Sequence, residues 1–295
     1  MLPDLVRHMR DKRPARRDPG DECQRLLDIE MRGMRSKTQG VDHQQLHPDQ
    51  FPDLRVGDRL EIGQVKREMA ESFARRTGAP IQEKLGEYLT VMFDSKGVSL
   101  TGFGLTYQGD FENMLHRVTN GRLQHEMLVR AAKTEEKNLK AIDATAGMGE
   151  DAFLLAAYGY EVTLYEQNPV IAALLKDALR RAKKHPVLKE IAGRMHLMEG
   201  DSVEGLTRLI DPVDVIYLDP MFPERQKSGL INKKLQLIQK LEPPCSEEKD
   251  LFDAAIKANP SKIIVKRPLK SVYLAGREPS YILKGKAIRY DCYVM

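Results

Sequence analysis

Ala141-Ile142-Asp143-Ala144-Thr145-Ala146-Gly147-Met148-Gly149-Glu150-Asp151 decides how this chain folds. Its apolar start reads as a buried strand, its two glycines as a tight turn, and Glu150-Asp151 as the opening of a helix. That geometry turns backbone N–H groups toward a nucleotide-like ligand. Far downstream, Val213-Asp214-Val215-Ile216-Tyr217-Leu218 reads as a second buried strand. Asp219-Pro220-Met221-Phe222 follows it with a carboxylate, a proline carbonyl and an aromatic ring.

Working outward, strand-like runs at 141–145, 161–165, 194–198, 213–218 and 263–266 alternate with helical stretches. The alternation predicts an α/β fold, a Rossmann-like parallel sheet covered by helices. One helix begins at Asn168-Pro169, a cap followed by proline at the first helical position. Val170, Ile171, Leu174, Leu175, Ala178 and Leu179 then recur at helical spacing. Residues 280–283 and 287–294 flank Lys284-Gly285-Lys286 and predict a terminal hairpin, and 123–140 reads as one helix. A second hairpin is expected where 89–93 and 98–101 surround Asp94-Ser95-Lys96-Gly97. The domains expected are a small α+β cap over 69–122 and a larger Rossmann-like domain over 123–295. Residues 1–68 have few large apolar side chains and many alternating charges, so they are expected to be poorly ordered, with a helix near 24–35. Met69-Ala70-Glu71 is an alternative start.

The bulk properties set limits. The 295 residues are 41% hydrophobic and 31% charged, as in a globular protein with a charged surface. No apolar run approaches the roughly 18 residues of a membrane span. Charges follow Met1-Leu2-Pro3 directly, which argues against a secretory signal and for the cytoplasm. Cys23, Cys245 and Cys292 are far apart, which argues against a disulfide framework or zinc ribbon, and no metal is expected. A net charge of +4 permits an anionic partner without demanding one.

Gly147, Gly149 and Ala152 satisfy a GxGxxA pattern. Glu166 ends the second strand roughly 20 residues later, where an acid meets ribose hydroxyls in nucleotide-binding βαβ units. Asp201 ends the third strand and suits either an adenine amino group or, with Ser202, a helix cap. Asp219 emerges at the carboxyl end of the fourth strand, where ligands of open α/β sheets collect. An amino group on a heteroaromatic ring is a poor nucleophile, because its lone pair is delocalised. If Asp219 and the Pro220 carbonyl accept its two protons, the nitrogen can aim that pair at an electrophilic methyl while Phe222 stacks on the base. A sulfonium donor needs no metal. Lysines and arginines at 225–240, with Lys262, Lys266, Arg267, Lys270, Arg277, Lys284, Lys286 and Arg289, are expected to form a phosphate track.

These motifs resemble those of the ribosomal RNA small subunit methyltransferase J family. The likeness rests on Asp143-Ala144-Thr145-Ala146-Gly147, Asn168-Pro169-Val170-Ile171, Tyr217-Leu218-Asp219-Pro220-Met221-Phe222-Pro223 with Gln226-Lys227-Ser228, and Val265-Lys266-Arg267-Pro268. It covers about Met69 to the end. The resemblance implies an S-adenosyl-L-methionine-dependent enzyme that methylates the exocyclic N2 of a guanine in 16S ribosomal RNA, free or in the small subunit. It implies donor contacts from Glu150, Asp151, Glu166, Gln167, Asp201, Ser202 and Asp219, beside the Asp143, Gly147 and Gly149 of the glycine turn. Glu150, Gln167 and Asp201 stand where that family usually has a basic residue, an arginine and a small hydroxyl residue, and the Arg/Gly-rich stretch is thinned to His116-Arg117-Val118-Thr119-Asn120-Gly121-Arg122. Competing readings are a DNA or other RNA amino-methyltransferase, a nicotinamide-dependent dehydrogenase using the glycine turn, and a non-catalytic RNA-binding assembly factor.

Overall fold

A computed structural model describes residues 54–58, 64–82, 88–119, 121–134, 139–220, 237, 241 and 248–295. All of them belong to one compact unit. The strands are β1 (Leu54–Asp58), β2 (Ile81–Gln82), β3 (Leu89–Asp94), β4 (Gly97–Gly102), β5 (Leu105–Tyr107), β6 (Lys140–Asp143), β7 (Glu161–Glu166), β8 (Met195–Glu199), β9 (Val215–Leu218), β10 (Lys262–Pro268), β11 (Tyr281–Lys284) and β12 (Ile288–Val294). The helices are α1 (Gln64–Thr77), α2 (Leu115–Val118), α3 (Met127–Ala132), α4 (Glu150–Tyr158), α5 (Pro169–Ala182), α6 (Lys189–Gly193), α7 (Ser202–Thr207) and α8 (Glu248–Lys257). Among the described residues no helix is long and apolar enough to cross a membrane.

The large sheet has the order β11-β12-β10-β9-β6-β7-β8. From β10 to β8 the neighbours are parallel, β12 runs antiparallel to β10, and β11 closes that edge antiparallel to β12. The chain therefore winds outward from β6 to β8, then returns to the other side of β6 with β9. This reversal leaves a crevice between the carboxyl ends of β6 and β9, the place where open α/β sheets bind ligands.

Side-chain alternation divides the core between the sheet's two faces. Ala141, Val215, Tyr217 and Ile264 pack with Phe153, Leu154 and Leu155 of α4, whereas Ile142, Ile216, Leu218, Ile263 and Val265 pack with Leu251 and Phe252 of α8. Helix α5 is capped as its sequence predicts. The Asn168 side chain accepts from Val170 N at 3.0 Å and Ile171 N at 3.3 Å. Leu175, Ala178 and Leu179 face the large sheet, while Val170 and Leu174 join the core of the small sheet.

The small sheet has the order β2-β1-β3-β4-β5, and the expected hairpin joins β3 to β4. Its turn is fastened to α5 through Asp177, which is buried and bound by Arg180 and Arg181 at 2.7 and 2.9 Å. Burial alone would raise the Asp177 pKa, yet the two guanidiniums and a backbone N–H of Val98 outweigh it and hold the carboxyl below its usual range.

Two expectations are corrected. The small sheet does not begin at Met69: β1 pairs with β3 from Leu54 to Asp58, and α1 runs through Met69. Leu54 and Val56 are buried there, so an apolar pair inside a charged stretch is enough to build a strand. Residues 123–140 are not one helix. A single 3-10 turn at Arg122–His125 precedes α3, which stops at Ala132, and Lys140 already lies in β6. Leu128, Val129, Ala131 and Ala132 are the buried face, and the charged run after them offers nothing to bury. The helix expected near 24–35 lies outside the described residues.

Candidate active site

The glycine turn leaves β6 and is stitched to both neighbouring strands. Ala144 N–H donates to Tyr217 O and Ala146 N–H to Tyr165 O, each at 3.0 Å. Both glycines have positive φ, 53° at Gly147 and 75° at Gly149, but for different reasons. A Cβ on Gly149 would stand 2.8 Å from the Leu175 side chain, so the turn packs tightly beneath. A Cβ on Gly147 would meet nothing within 4 Å, so that residue opens onto the crevice.

Glu166, at the tip of β7 and 6% exposed, ties this turn down. Its carboxylate accepts from Gly147 N at 2.9 Å and Asn168 N at 2.7 Å. A carboxylate offers about four acceptor positions, so these bonds are compatible with further hydroxyl contacts. Gly200 N–H donates to the Glu166 carbonyl at 2.9 Å, bringing the tip of β8 alongside. Asp201 caps α7 by accepting from Val203 N at 2.8 Å, with its side chain exposed, Ser202 half-buried beside it and Gln167 exposed.

The other side of the crevice carries the charge. Asp219 N–H donates to Thr145 Oγ1 at 2.7 Å, which fixes the tip of β9 against the loop after β6. Lys266 Nζ, from β10, lies 2.9 Å from Asp219 Oδ2 and 2.7 Å from Asp151 Oδ2. Tyr217 OH donates to that same Asp151 oxygen at 2.6 Å. Burial by itself would lower the Lys266 pKa, but Asp151 and Asp219 outweigh it and hold the ammonium well above its usual range. Asp143, 1% exposed, is pushed up to about 8, chiefly by burial and further by Asp151 and Asp219, against the Thr145 N–H bond and Lys266. Burial, with Asp151 next, also raises Tyr217.

Asp143, Gly147, Gly149, Asp151, Glu166, Asp219 and the buried Pro220 are thus gathered at the carboxyl ends of β6, β7 and β9; Glu150 is exposed at the start of α4, and Phe222 lies outside the described residues. Thr145, Tyr217 and Lys266 were not expected as partners. Tyr217 sits two residues before Asp219, so strand alternation puts both on one face, and Lys266 follows the residue paired with Leu218. The phosphate track is corrected in part. Lys262 starts β10 on the opposite edge and donates to the carbonyls of Ala131 and Lys133. Lys266 is in the crevice, and Arg267 and Arg289 are buried. The cations expected at 225–240 lie outside the described residues.

A glycine turn open on one side, an acid at or just after the end of each of the first four core strands and the strand reversal between β6 and β9 suit an adenosyl cofactor carrying a cationic sulfur. The SAM-dependent methyltransferase family model matches residues 106–295. The fold and site thus define an S-adenosylmethionine-dependent methyltransferase. Among relatives, the ribosomal RNA small subunit methyltransferase J of Thioalkalivibrio sulfidiphilus is 37% identical over 82% of this chain and 98% of its own. That of Pseudomonas aeruginosa is 37% identical over 80% and 94%. The first match spans more than residues 69–295, in keeping with a small sheet that starts upstream of Met69. The SAM-dependent methyltransferase of Neisseria gonorrhoeae, a solved structure, superposes with a TM-score of 0.65 at 27% identity, covering 82% of this chain and 95% of its own. The chain belongs to the ribosomal RNA small subunit methyltransferase J family.

Proposed function

We propose that this enzyme acts in the cytoplasm, on free or assembled small-subunit RNA, and methylates the exocyclic N2 of a guanine in 16S ribosomal RNA. We assign the chemistry to residues 123–295. The observation that carries the reading is the bond from Asp219 N–H to Thr145 Oγ1, which sets the acceptor carboxylate beside the donor loop. The names of the relatives support ribosomal RNA as the substrate.

S-adenosylmethionine supplies an electrophilic methyl on a positively charged sulfur that departs as a neutral thioether. Gly147 and Gly149 shape the turn that would receive its methionine end, Glu166 would hold the ribose, and Asp201 and Ser202 would border the adenine. Asp219 and the Pro220 carbonyl accept the two N–H bonds of the guanine amine, so its lone pair points across the crevice. Lys266 fixes the Asp219 carboxylate, and Asp151, held by Tyr217, fixes Lys266. As the N–C bond forms the nitrogen gives up one proton, with Asp219 the first acceptor and water the last. We assign to Phe222, from its place in the motif, the stacking on the base. A paired guanine hides its N2, so the target must be unpaired or flipped out, at a cost of a few kcal/mol.

Offering labelled donor separately with 16S ribosomal RNA, small subunits and DNA tests the reading. Transfer to RNA or subunits is expected, with N2-methylguanosine in the digest and one such nucleoside missing from ribosomal RNA of cells lacking this protein. Transfer to DNA alone would overturn it.

A further inference from the structure

Arg267 and Arg289 take no part in that chemistry, yet they are 3% and 4% exposed. A buried guanidinium is costly unless its donors are paired, so its partners indicate its purpose. Arg267 donates to the Val272 carbonyl through Nε at 3.1 Å and Nη2 at 2.8 Å, and pairs with Glu248. Arg289 donates to the carbonyls of Leu269 at 2.7 Å and Pro268 at 3.3 Å. Its remaining edge is held by the fully buried Asp291, and its guanidinium lies over the Tyr273 ring. Ser271 bonds back to Pro268 O, and Leu274 is buried at the far end. Two internal cations thus fix the backbone of one short loop.

That loop turns Leu269, Lys270 and Val272 outward, with Val272 79% exposed. A single exposed apolar residue is ordinary. One whose carbonyl is pinned from below by a buried arginine is held out by construction. The loop also stands at the rim of the crevice: Lys266, two residues before Pro268, touches Asp219. Pro268 pairs with Ile288 and Lys284 with Arg289, so the exposed Lys284 and Lys286 lie on the same edge. From residue 269 to 288 the chain has four basic side chains and one acidic.

We infer that residues 269–272 are a preformed RNA contact, in which Val272 and Leu269 pack on a base beside the target nucleotide while Lys270, Lys284 and Lys286 meet the flanking phosphates. This rests on the RNA reading above. A flipped guanine leaves its neighbour without a stacking partner, and a rigid apolar tip replaces that partner. A loop ordered beforehand gives up little freedom on binding.

The test compares wild type, Val272→Asp and the triple variant Lys270→Ala/Lys284→Ala/Lys286→Ala. It measures kcat/KM and binding with 16S ribosomal RNA and small subunits, and affinity for S-adenosylhomocysteine. Val272→Asp is expected to lower kcat/KM at least tenfold with S-adenosylhomocysteine affinity unchanged. The triple variant should bind RNA more weakly and lose about 2 from the slope of log affinity against log salt. Val272→Asp turnover within twofold of wild type, or an unchanged salt slope, overturns the inference, as does an equal loss of S-adenosylhomocysteine affinity. A wild type that methylates no RNA overturns the functional reading itself. Normal RNA turnover by all variants with loss of a protein partner in its place would reassign the loop to protein docking.

Discussion

At the amino edge of the large sheet, polar groups are used up locally. Lys140 N–H donates to Asp214 at 2.7 Å, Lys262 Nζ donates to the Ala131 and Lys133 carbonyls, and His196 meets Glu161 at 3.0 Å. At the carboxyl edge, Asp143, Asp151 and Asp219 gather near one ammonium, Lys266, and the Asp143 pKa is pushed up to about 8, first by burial and then by its two acidic neighbours. The same strands therefore end in two kinds of chemistry. One edge closes the sheet, and the other keeps a surplus of negative charge suited to a cationic ligand and an amine.

Breaking that contrast should hurt most at Asp219. Asp219→Ala is expected to cut methyl transfer at least about 10³-fold while thermal unfolding stays close to wild type. Near-normal transfer would remove Asp219 from the chemistry. Lys266→Met comes next, because it leaves Asp151 and Asp219 facing each other without their counter-ion. Turnover should fall about 100-fold through misplacement of Asp219, and the denaturant midpoint should shift by the equivalent of about 3 kcal/mol. Lys266→Arg should recover part of both; an unshifted midpoint would mean that the carboxylates do not depend on the ammonium.

The third expectation concerns pH. Asp143 has a folded-state pKa raised from 3.8 to about 8, so the fold prefers its protonated form. Its contribution to stability is complete below about pH 4 and is lost as pH rises toward 8. Asp143→Asn should therefore flatten the fall in stability between those values, which melts at a series of pH values would show; an unchanged slope would assign it elsewhere. The smallest effect belongs to the opposite edge. Lys262→Met should cost about 1 kcal/mol for its lost bonds and leave transfer within twofold, and a larger loss of activity would erase the distinction between the edges.

Much of the sheet was legible because buried parallel strands are short apolar runs with turns between them. The run at 141–145 overlaps β6, that at 213–218 contains β9, and Asn168 caps α5 as expected. The donor loop could be read from its two glycines, and Asp219 from its place after an apolar strand. β1 was missed because only Leu54 and Val56 mark it, and their burial depends on pairing with β3, more than thirty residues away. The phosphate track was misjudged because a lysine or arginine has the same symbol whether it meets solvent or a carbonyl. Arg267 and Arg289 went inward to hold a loop, while Lys270, Lys284 and Lys286 stayed outside.

By itself the sequence determined the alternating strands and helices, the glycine turn and the acid after the fourth core strand, because periodicity and turn chemistry are local. Tertiary structure alone decided that β9 returns beside β6, that Thr145 meets Asp219, and that Lys266 bridges Asp151 and Asp219. The physical reason is register. Which side chains face one another across parallel strands is fixed by hydrogen bonding between segments more than seventy residues apart, and spacing along one segment carries no record of it.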